Sequence, residues 1–171
     1  MNWKLQQPQD FSVSPFDLIG SQWMLGTAQK PDGSVNTMTA SWGGMGVLWG
    51  KNVAFVFLRP QRYTKEFVDQ AGRFTLTFFD GEYKKALGYL GSVSGRNEDK
   101  IAKSGLTVEQ LDGQPVFSQA RIALLCRSMY AQELDPACFL ETEHDQKWYP
   151  EKDYHTVYVA EIEKIYLADS Q

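Results

Sequence analysis

The pattern of hydrophobic and polar positions along this 171-residue chain is mainly that of β-strands. Segment 74–79 (FTLTFF) alternates apolar and polar side chains, as a half-buried strand does. Segment 53–58 (VAFVFL) is apolar throughout, which is typical of a strand buried on both faces. About seven strands are expected from such patterns. The clearest of them span residues 23–28, 35–41, 53–58, 74–79, 122–130 and 156–166.

Short helices and turns are predicted between these strands. Helix candidates are residues 16–19, 65–71, 82–90 and 99–103. Residues 1–15 are expected to form an arm, glycine-rich segment 43–46 to break the strand pattern, and residues 141–153 to form a long loop. No strand–helix rhythm recurs, which argues against a doubly wound parallel sheet. The expected fold is mainly β (α+β), a Greek-key barrel with inserted short helices, in one domain over residues 1–171.

Composition and charge exclude several classes of function. The chain is 43% hydrophobic and 22% charged, as soluble globular proteins are, and its net charge of −4 argues against a nucleic-acid binder. No stretch approaches the roughly 20 apolar residues of a membrane span, and the N-terminus lacks the apolar core of a signal peptide. A reducing, cytoplasmic location is therefore expected.

Neither the cysteines nor the acidic residues predict a metal or redox site. Cys126 and Cys138 form no Cys-x-x-Cys pair, and Cys126 lies in an apolar run, which indicates a buried free thiol. Segment 141–145 holds two glutamates, a histidine and an aspartate, but their spacing suits neither face of a strand nor of a helix. We expect a solvated acidic loop there, in which Trp148 and Tyr149 could cover a cofactor.

Two polar segments border apolar strands and carry the candidate chemistry. Segment 36–42 (NTMTASW) supplies amide and hydroxyl donors, and segment 59–64 (RPQRYT) holds two arginines before a predicted helix start. Guanidinium forks and helix N-termini both favour a phosphate dianion. A phosphate-bearing small molecule at these strand ends is therefore the first hypothesis. The alternatives are a threonine-rich edge strand and a solvated arginine pair, and Arg59 could equally pair with a carboxylate.

These segments, followed by segment 91–96 (GSVSGR) and the pair Asp99-Lys100, resemble the flavin reductase-like family, in particular its flavoredoxin-type branch. The resemblance extends from about Pro15 to the last predicted strand. It implies a split β-barrel that binds FMN, and a homodimer with flavin sites near the subunit boundary. It also implies that segment 36–42 lines the isoalloxazine and the ribityl chain.

The resemblance further implies which residues contact the cofactor. The predicted FMN-binding residues are Asn36, Thr37, Met38, Thr39, Ala40, Ser41, Trp42, Arg59, Arg62, Tyr63, Thr64, Ser94 and Lys100. Ser94 and Lys100 are expected at the phosphate or the outer flavin edge, with a simple loop before a short helix as the alternative. Trp42 is equally compatible with a position in the core.

His155 is the catalytic candidate. Similar reductases carry a histidine near this position, facing the flavin and the nicotinamide, whereas a lone histidine is more often only a satisfied polar residue. The chain has no Gly-x-Gly-x-x-Gly segment after a strand, so a nicotinamide nucleotide would have to visit the flavin transiently. The predicted function is an FMN-dependent oxidoreductase that takes hydride from NAD(P)H or passes electrons to a redox partner. The alternatives are a non-catalytic flavin- or haem-binding module, a redox sensor, and a structural dimer without cofactor.

Overall fold

An antiparallel sheet of eight strands organises the chain, and a two-stranded hairpin packs beside it. The computed structural model describes residues 2–169. The strands are β1 (Trp3–Gln6), β2 (Met24–Gln29), β3 (Val35–Ala40), β4 (Gly43–Leu48), β5 (Lys51–Leu58), β6 (Arg73–Phe78), β7 (Val108–Leu111), β8 (Gln114–Phe117), β9 (Ile122–Glu133) and β10 (Thr156–Ala168). The α-helices are α1 (Tyr63–Ala71), α2 (Lys84–Ser92), α3 (Lys100–Ser104) and α4 (Thr142–Trp148). Single turns of other helix types lie at Phe16–Ser21, Pro8–Asp10, Gly81–Tyr83 and Pro136–Cys138.

The order of the strands brings the two ends of the sheet together. That order is β3-β2-β6-β9-β10-β5-β4, with β1 added to β10 and with β7 paired to β8. β3 and β4 are the outermost strands of this path, yet only Ser41 and Trp42 separate them in the chain. The sheet must therefore curl until its ends approach each other at this two-residue linker, which produces a barrel that stays open between β3 and β4.

Two apolar clusters hold the sheet in this shape. Met24 and Leu25 are adjacent in β2 but belong to different clusters, because successive strand residues point to opposite faces. The cluster inside the barrel includes Met24, Met38, Val56, Phe74, Leu124 and Tyr158. The cluster beneath α2 includes Leu25, Phe79, Leu87, Leu90 and Phe117. Both faces of the central strands are thus buried, which explains their nearly unbroken apolar runs.

Helix α1 links β5 to β6 and places its first turn at the end of β5. A turn precedes it, in which the Arg62 N–H donates to the Arg59 carbonyl at 3.1 Å. Phe67 and Val68 bury the inner face of the helix, and Gly72 ends it with the positive φ of 63° that favours glycine. No side chain caps the helix start, so its first backbone N–H groups remain available as donors.

The structure confirms the mainly β character and most predicted elements, with boundaries shifted by one or a few residues. Three predictions were wrong. Segment 43–46 does not break the sheet but begins β4, whose backbone pairs with β5 although its glycines lack an apolar pattern. The expected loop at 141–153 contains α4, and the N-terminal arm contains β1. Within residues 2–169 no helix is both long and apolar enough to cross a lipid bilayer.

Candidate functional site

A cavity of about 210 Å³ opens where the two ends of the sheet meet. Its walls come from β3 and the linker to β4, from the end of β5, from the turn before α1, and from the segment that joins α4 to β10. The lining residues are Met38, Thr39, Ala40, Ser41, Trp42, Phe57, Arg59, Arg62, Trp148 and His155. Eight of these ten belong to the predicted site, although they come from three separate parts of the sequence. Phe57 and Trp148 complete the lining.

One end of the cavity carries positive charge without a matching carboxylate. Arg62 is half-buried, and burial followed by the charge of Arg59 lowers the pKa of its guanidinium. The Arg62 Nη1 atom donates to the Gly91 carbonyl at 2.7 Å. Among residues 2–169, no carboxylate lies within 4.0 Å of the cationic atoms of Arg62 or Lys100. An anion placed here would therefore relieve a repulsion that the fold leaves standing.

Lys100 lies behind this end of the cavity rather than in its lining. It is 3% exposed, and its Nζ atom donates to the Leu90 carbonyl at 2.8 Å and to the Val93 carbonyl at 2.9 Å. Burial, together with the charge of Arg62, lowers its pKa to about 8. The ammonium thus holds the end of α2 and the following loop in place. Direct contact between Lys100 and a phosphate stays a prediction.

The three sequence segments that carry the family resemblance meet beside the cavity. The Asn36 Nδ2 atom donates to the Thr64 hydroxyl at 2.9 Å, and both residues are buried. Gly95 lies so close to Asn36 that a Cβ atom at this position would overlap the amide oxygen. Tyr63 packs its ring against Arg96, whose Cζ atom lies 4.6 Å from the ring centroid. Asn36, Tyr63 and Thr64 therefore form the frame of the site rather than its lining.

Two further predicted residues make internal contacts. Thr37 is fully buried, and its hydroxyl lies 2.8 Å from the Thr27 hydroxyl and 3.2 Å from the Gly26 carbonyl. The Ser94 hydroxyl accepts the Arg96 N–H at 3.2 Å. The Thr37 side chain is thus engaged within the sheet, which leaves only its backbone as a candidate contact. The Ser94 hydroxyl shapes the loop that packs beside Asn36.

Aromatic side chains form the opposite wall of the cavity. The ring centroids of Trp42 and Trp148 are 5.0 Å apart at an interplanar angle of 89°, and Trp42 lies 5.3 Å from the imidazole of His155. Trp42 and Trp148 are each 40% exposed. The alternative of a core position for Trp42 is therefore wrong. A flat apolar ring could pack against this wall while its polar edge meets the backbone of β3 and the linker.

His155 is held in a neutral form at the edge of this wall. It is 8% exposed, and its Nδ1 atom lies 2.7 Å from the Tyr149 hydroxyl oxygen. Burial lowers the pKa of His155 to about 4, the positive charges of Arg59 and Arg62 act in the same direction, and Asp153 opposes them. At neutral pH the imidazole is therefore uncharged and can donate one hydrogen bond and accept another.

Arg59 fastens the segment after α4 across the mouth of the cavity. Its Nη1 atom contacts Asp153 Oδ2 at 2.5 Å, and its Nη2 atom donates to the Trp148 carbonyl at 2.9 Å. The sequence left open whether Arg59 meets a phosphate or a carboxylate, and the structure has it paired with Asp153. Burial acts to raise the pKa of Asp153, but hydrogen bonds from Arg59 and Gln61 outweigh it, and the pKa is lowered.

The sequence did not identify Phe57 or Asp153 as parts of the site. Phe57 belongs to an apolar run whose members cannot be sorted by face, because nearly all of them are hydrophobic. Asp153 meets Arg59 across 94 residues of sequence, and no local pattern reports such a contact. Only the return of β10 beside β5 brings the two side chains together.

Comparison with known proteins places this geometry in a family. The family model described as "Flavin reductase like domain" matches residues 16–171. The fold is similar to an FMN-binding domain of a flavin reductase-like enzyme from Shewanella baltica, with 16% identity, coverage of 97% of this chain and 77% of that chain, and a TM-score of 0.70. It is also similar to a split-barrel protein from Shewanella frigidimarina, with 17% identity, coverage of 95% and 78%, and a TM-score of 0.70.

A third similar structure is the flavoredoxin of Desulfovibrio vulgaris, with 23% identity, coverage of 86% of this chain and 69% of that chain, and a TM-score of 0.67. No match to a curated protein was found. The split-barrel fold that the sequence predicted is thereby confirmed. Because the family model covers nearly the whole sequence, this chain belongs to the flavin reductase-like domain family.

Proposed function

We propose that this protein binds FMN in the cavity between Arg62 and Trp42 and acts as an FMN-dependent oxidoreductase. The observation that carries the proposal is the pairing of unlike ends in one cavity. One end has cations without a carboxylate partner, and the other has an aromatic wall. FMN has a phosphate dianion at one end and a flat ring system at the other, so its chemistry fits this arrangement.

Each wall of the cavity has a distinct task in this proposal. Arg62 and the first N–H groups of α1 hold the phosphate, because a guanidinium fork and a helix N-terminus both favour a dianion. The backbone of residues 38–42 meets the polar edge of the ring system, and Trp42 and Trp148 cover its apolar faces. The family relatives named as FMN-binding proteins support the choice of this flavin.

When bound, FMN supplies the redox chemistry by accepting a hydride and passing electrons on. The residues of this chain bind and orient the ring, and the Arg59–Asp153 pair keeps the segment after α4 over it. A hydride step needs no protein acid or base. Accordingly the site holds a neutral imidazole, and the proposed role of His155 is to orient the incoming nicotinamide.

Anaerobic reduction tests this function. The FMN-loaded protein is mixed with NADH or NADPH without oxygen, and the flavin absorbance is followed by stopped flow. Bleaching within the time of a catalytic turnover supports the reductase. If neither nucleotide bleaches a flavin that dithionite does reduce, the protein is an electron carrier instead. A Soret band in the purified protein would favour a haem module, and a colourless protein that takes up no FMN would favour a structural dimer.

We also propose that the active form is a homodimer. Large apolar side chains are exposed beside the cavity and along the edge strand β4, among them Phe16 (88%), Val47 (72%) and Trp49 (60%). Apolar exposure of this kind on a soluble protein marks a surface that a partner covers, and here the proposed partner is a second copy of the chain. Light scattering on the purified protein should give the mass of two chains, and a mass of one chain would remove the proposal.

A further inference from the structure

The contact between Tyr149 and His155 is fixed from both sides. Tyr149 is 4% exposed, and its ring packs against Tyr154, with 4.9 Å between the ring centroids. On another side the Arg59 guanidinium lies 5.1 Å from the centroid of the Tyr149 ring. These contacts hold the Tyr149 hydroxyl oxygen 2.7 Å from the His155 Nδ1 atom. The geometry leaves open which of the two atoms donates, and the surroundings decide it.

The buried hydroxyl of Tyr149 must be the donor. Burial raises the pKa of Tyr149, so the phenol keeps its proton at neutral pH. Among residues 2–169, the His155 Nδ1 atom is the hydrogen-bond partner found for that hydroxyl. If Nδ1 carried the ring proton, the phenol proton would be left in the interior without an acceptor, at a cost of about 1–3 kcal/mol. The backbone N–H of His155 also favours the ionised oxygen of Tyr149, which turns the hydroxyl proton toward the ring.

The tautomer of His155 follows from this assignment. A neutral imidazole has one N–H and one acceptor nitrogen, so an accepting Nδ1 puts the proton on Nε2. Within the described part of the chain, Nε2 has no hydrogen-bond partner, and it is not among the unpaired atoms sealed from solvent. Because His155 lines the cavity, the Nε2–H group opens toward it. The cavity therefore has one neutral donor beside Trp42.

We propose that Tyr149 is a positioning residue that locks His155 in the Nε2–H tautomer, so that the cavity offers a neutral donor to a carbonyl acceptor of the carboxamide class. The choice of the nicotinamide carboxamide as that acceptor rests on the proposed function. The tautomer itself does not, because it follows from contacts within the chain. A fixed donor selects an acceptor by hydrogen bonding without transferring a proton to it.

The tautomer can be measured directly. The chain has two histidines, so a ¹⁵N-histidine-labelled sample gives two sets of imidazole signals. The exposed His144 is assigned by the His144→Ala variant. At pH 7 the proposal predicts that the two-bond ¹⁵N–¹H correlations of His155 have the pattern of the Nε2–H tautomer. The pattern of the Nδ1–H tautomer, or of a protonated ring, in the wild-type protein would overturn the proposal.

Two matched variants test the part played by Tyr149. Tyr149→Phe removes the hydroxyl that meets His155, whereas Tyr154→Phe removes a neighbouring hydroxyl that donates to Asp145 at 2.7 Å. Tyr149→Phe should convert His155 to a mixture of tautomers and raise the KM for NAD(P)H about two- to tenfold with FMN affinity unchanged. Tyr154→Phe should change none of these.

An unchanged tautomer in Tyr149→Phe would overturn the positioning role. If this variant does not fold, the wild-type spectrum still decides the tautomer. The failure of the proposed function looks different: the tautomer would respond to Tyr149→Phe as expected, but NAD(P)H would reduce neither the wild-type protein nor the variant.

Discussion

At the scale of single residues, two arginines three positions apart have different tasks. Arg59 is paired with Asp153 and fastens the segment after α4, whereas Arg62 has a backbone carbonyl and no carboxylate beside it. Charge and spacing alone could not separate them, because both follow the same strand. The difference depends on Asp153, which reaches Arg59 only through the pairing of β10 with β5.

Replacing Arg62 should therefore weaken FMN through its phosphate. Arg62→Ala removes a charge-assisted contact worth on the order of 1.5–3 kcal/mol. Riboflavin, which lacks the phosphate, should bind the wild type more weakly than FMN does and should respond little to the substitution. Fluorescence titrations of both flavins against both proteins measure this. Arg73→Ala, which breaks an exposed ion pair with Glu163, is the control. Equal FMN affinity in Arg62→Ala and wild type would remove Arg62 from the site.

His155 should give the protein a pH-dependent stability. Its pKa of about 4 lies below the ordinary 6.5, so between these values the unfolded chain binds the proton that the folded state refuses. The stability that this adds is complete above pH 6.5 and is lost as the pH falls toward 4. The charged groups that face the ring are Arg59, Arg62 and Asp153, and Tyr149 is its hydrogen-bond partner.

Urea unfolding at pH 7 and at pH 5 measures the effect. The wild type should lose more stability between these two values than His155→Gln does, because glutamine does not titrate. An equal loss in both proteins would assign the pH dependence to other groups and would contradict the neutral buried state of His155.

At the scale of elements, the site depends on how closely the loop after α2 approaches β3. Gly95→Ala should push this loop away from Asn36, because the added methyl group would overlap the amide oxygen, and such overpacking costs about 1–3 kcal/mol. FMN affinity should fall with it. Gly88→Ala is the matched control, since a methyl group at this position of α2 meets nothing within 4 Å. Alanine there should stabilise the helix by up to about 1 kcal/mol. Thermal unfolding and FMN titration of both variants decide the point, and equal behaviour would contradict it.

Elements with a clear apolar period could be predicted from the sequence, and those without one could not. The central strands β5, β6 and β9 are buried, and their patterns announced them. β4 has glycines in place of an apolar pattern and is held by backbone bonds to β5. Helix α4 has no buried residue, so its sequence has no apolar face to report. The β7–β8 hairpin consists of two four-residue strands, too short for a period to stand out.

At the scale of the whole molecule, the sequence predicted which segments form the site but not the task of each residue. Segments 36–42, 59–64 and 91–96 do meet, because the curled sheet joins its own ends and α1 and α2 place their termini beside that seam. The alternation of strands and the hidden face of the barrel then divide the residues. Thr37 and Lys100 contact the protein interior, whereas Met38 and Arg62 line the cavity.

A crystal structure of the protein with FMN tests the central claim most directly. The account predicts the phosphate at Arg62 and the first turn of α1, and the ring system between residues 38–42 and Trp148. The chain has another cavity with cationic walls, lined by Lys84 and Arg121 among others, which provides an internal comparison. FMN density in that cavity, or anywhere else away from Arg62, would contradict the account.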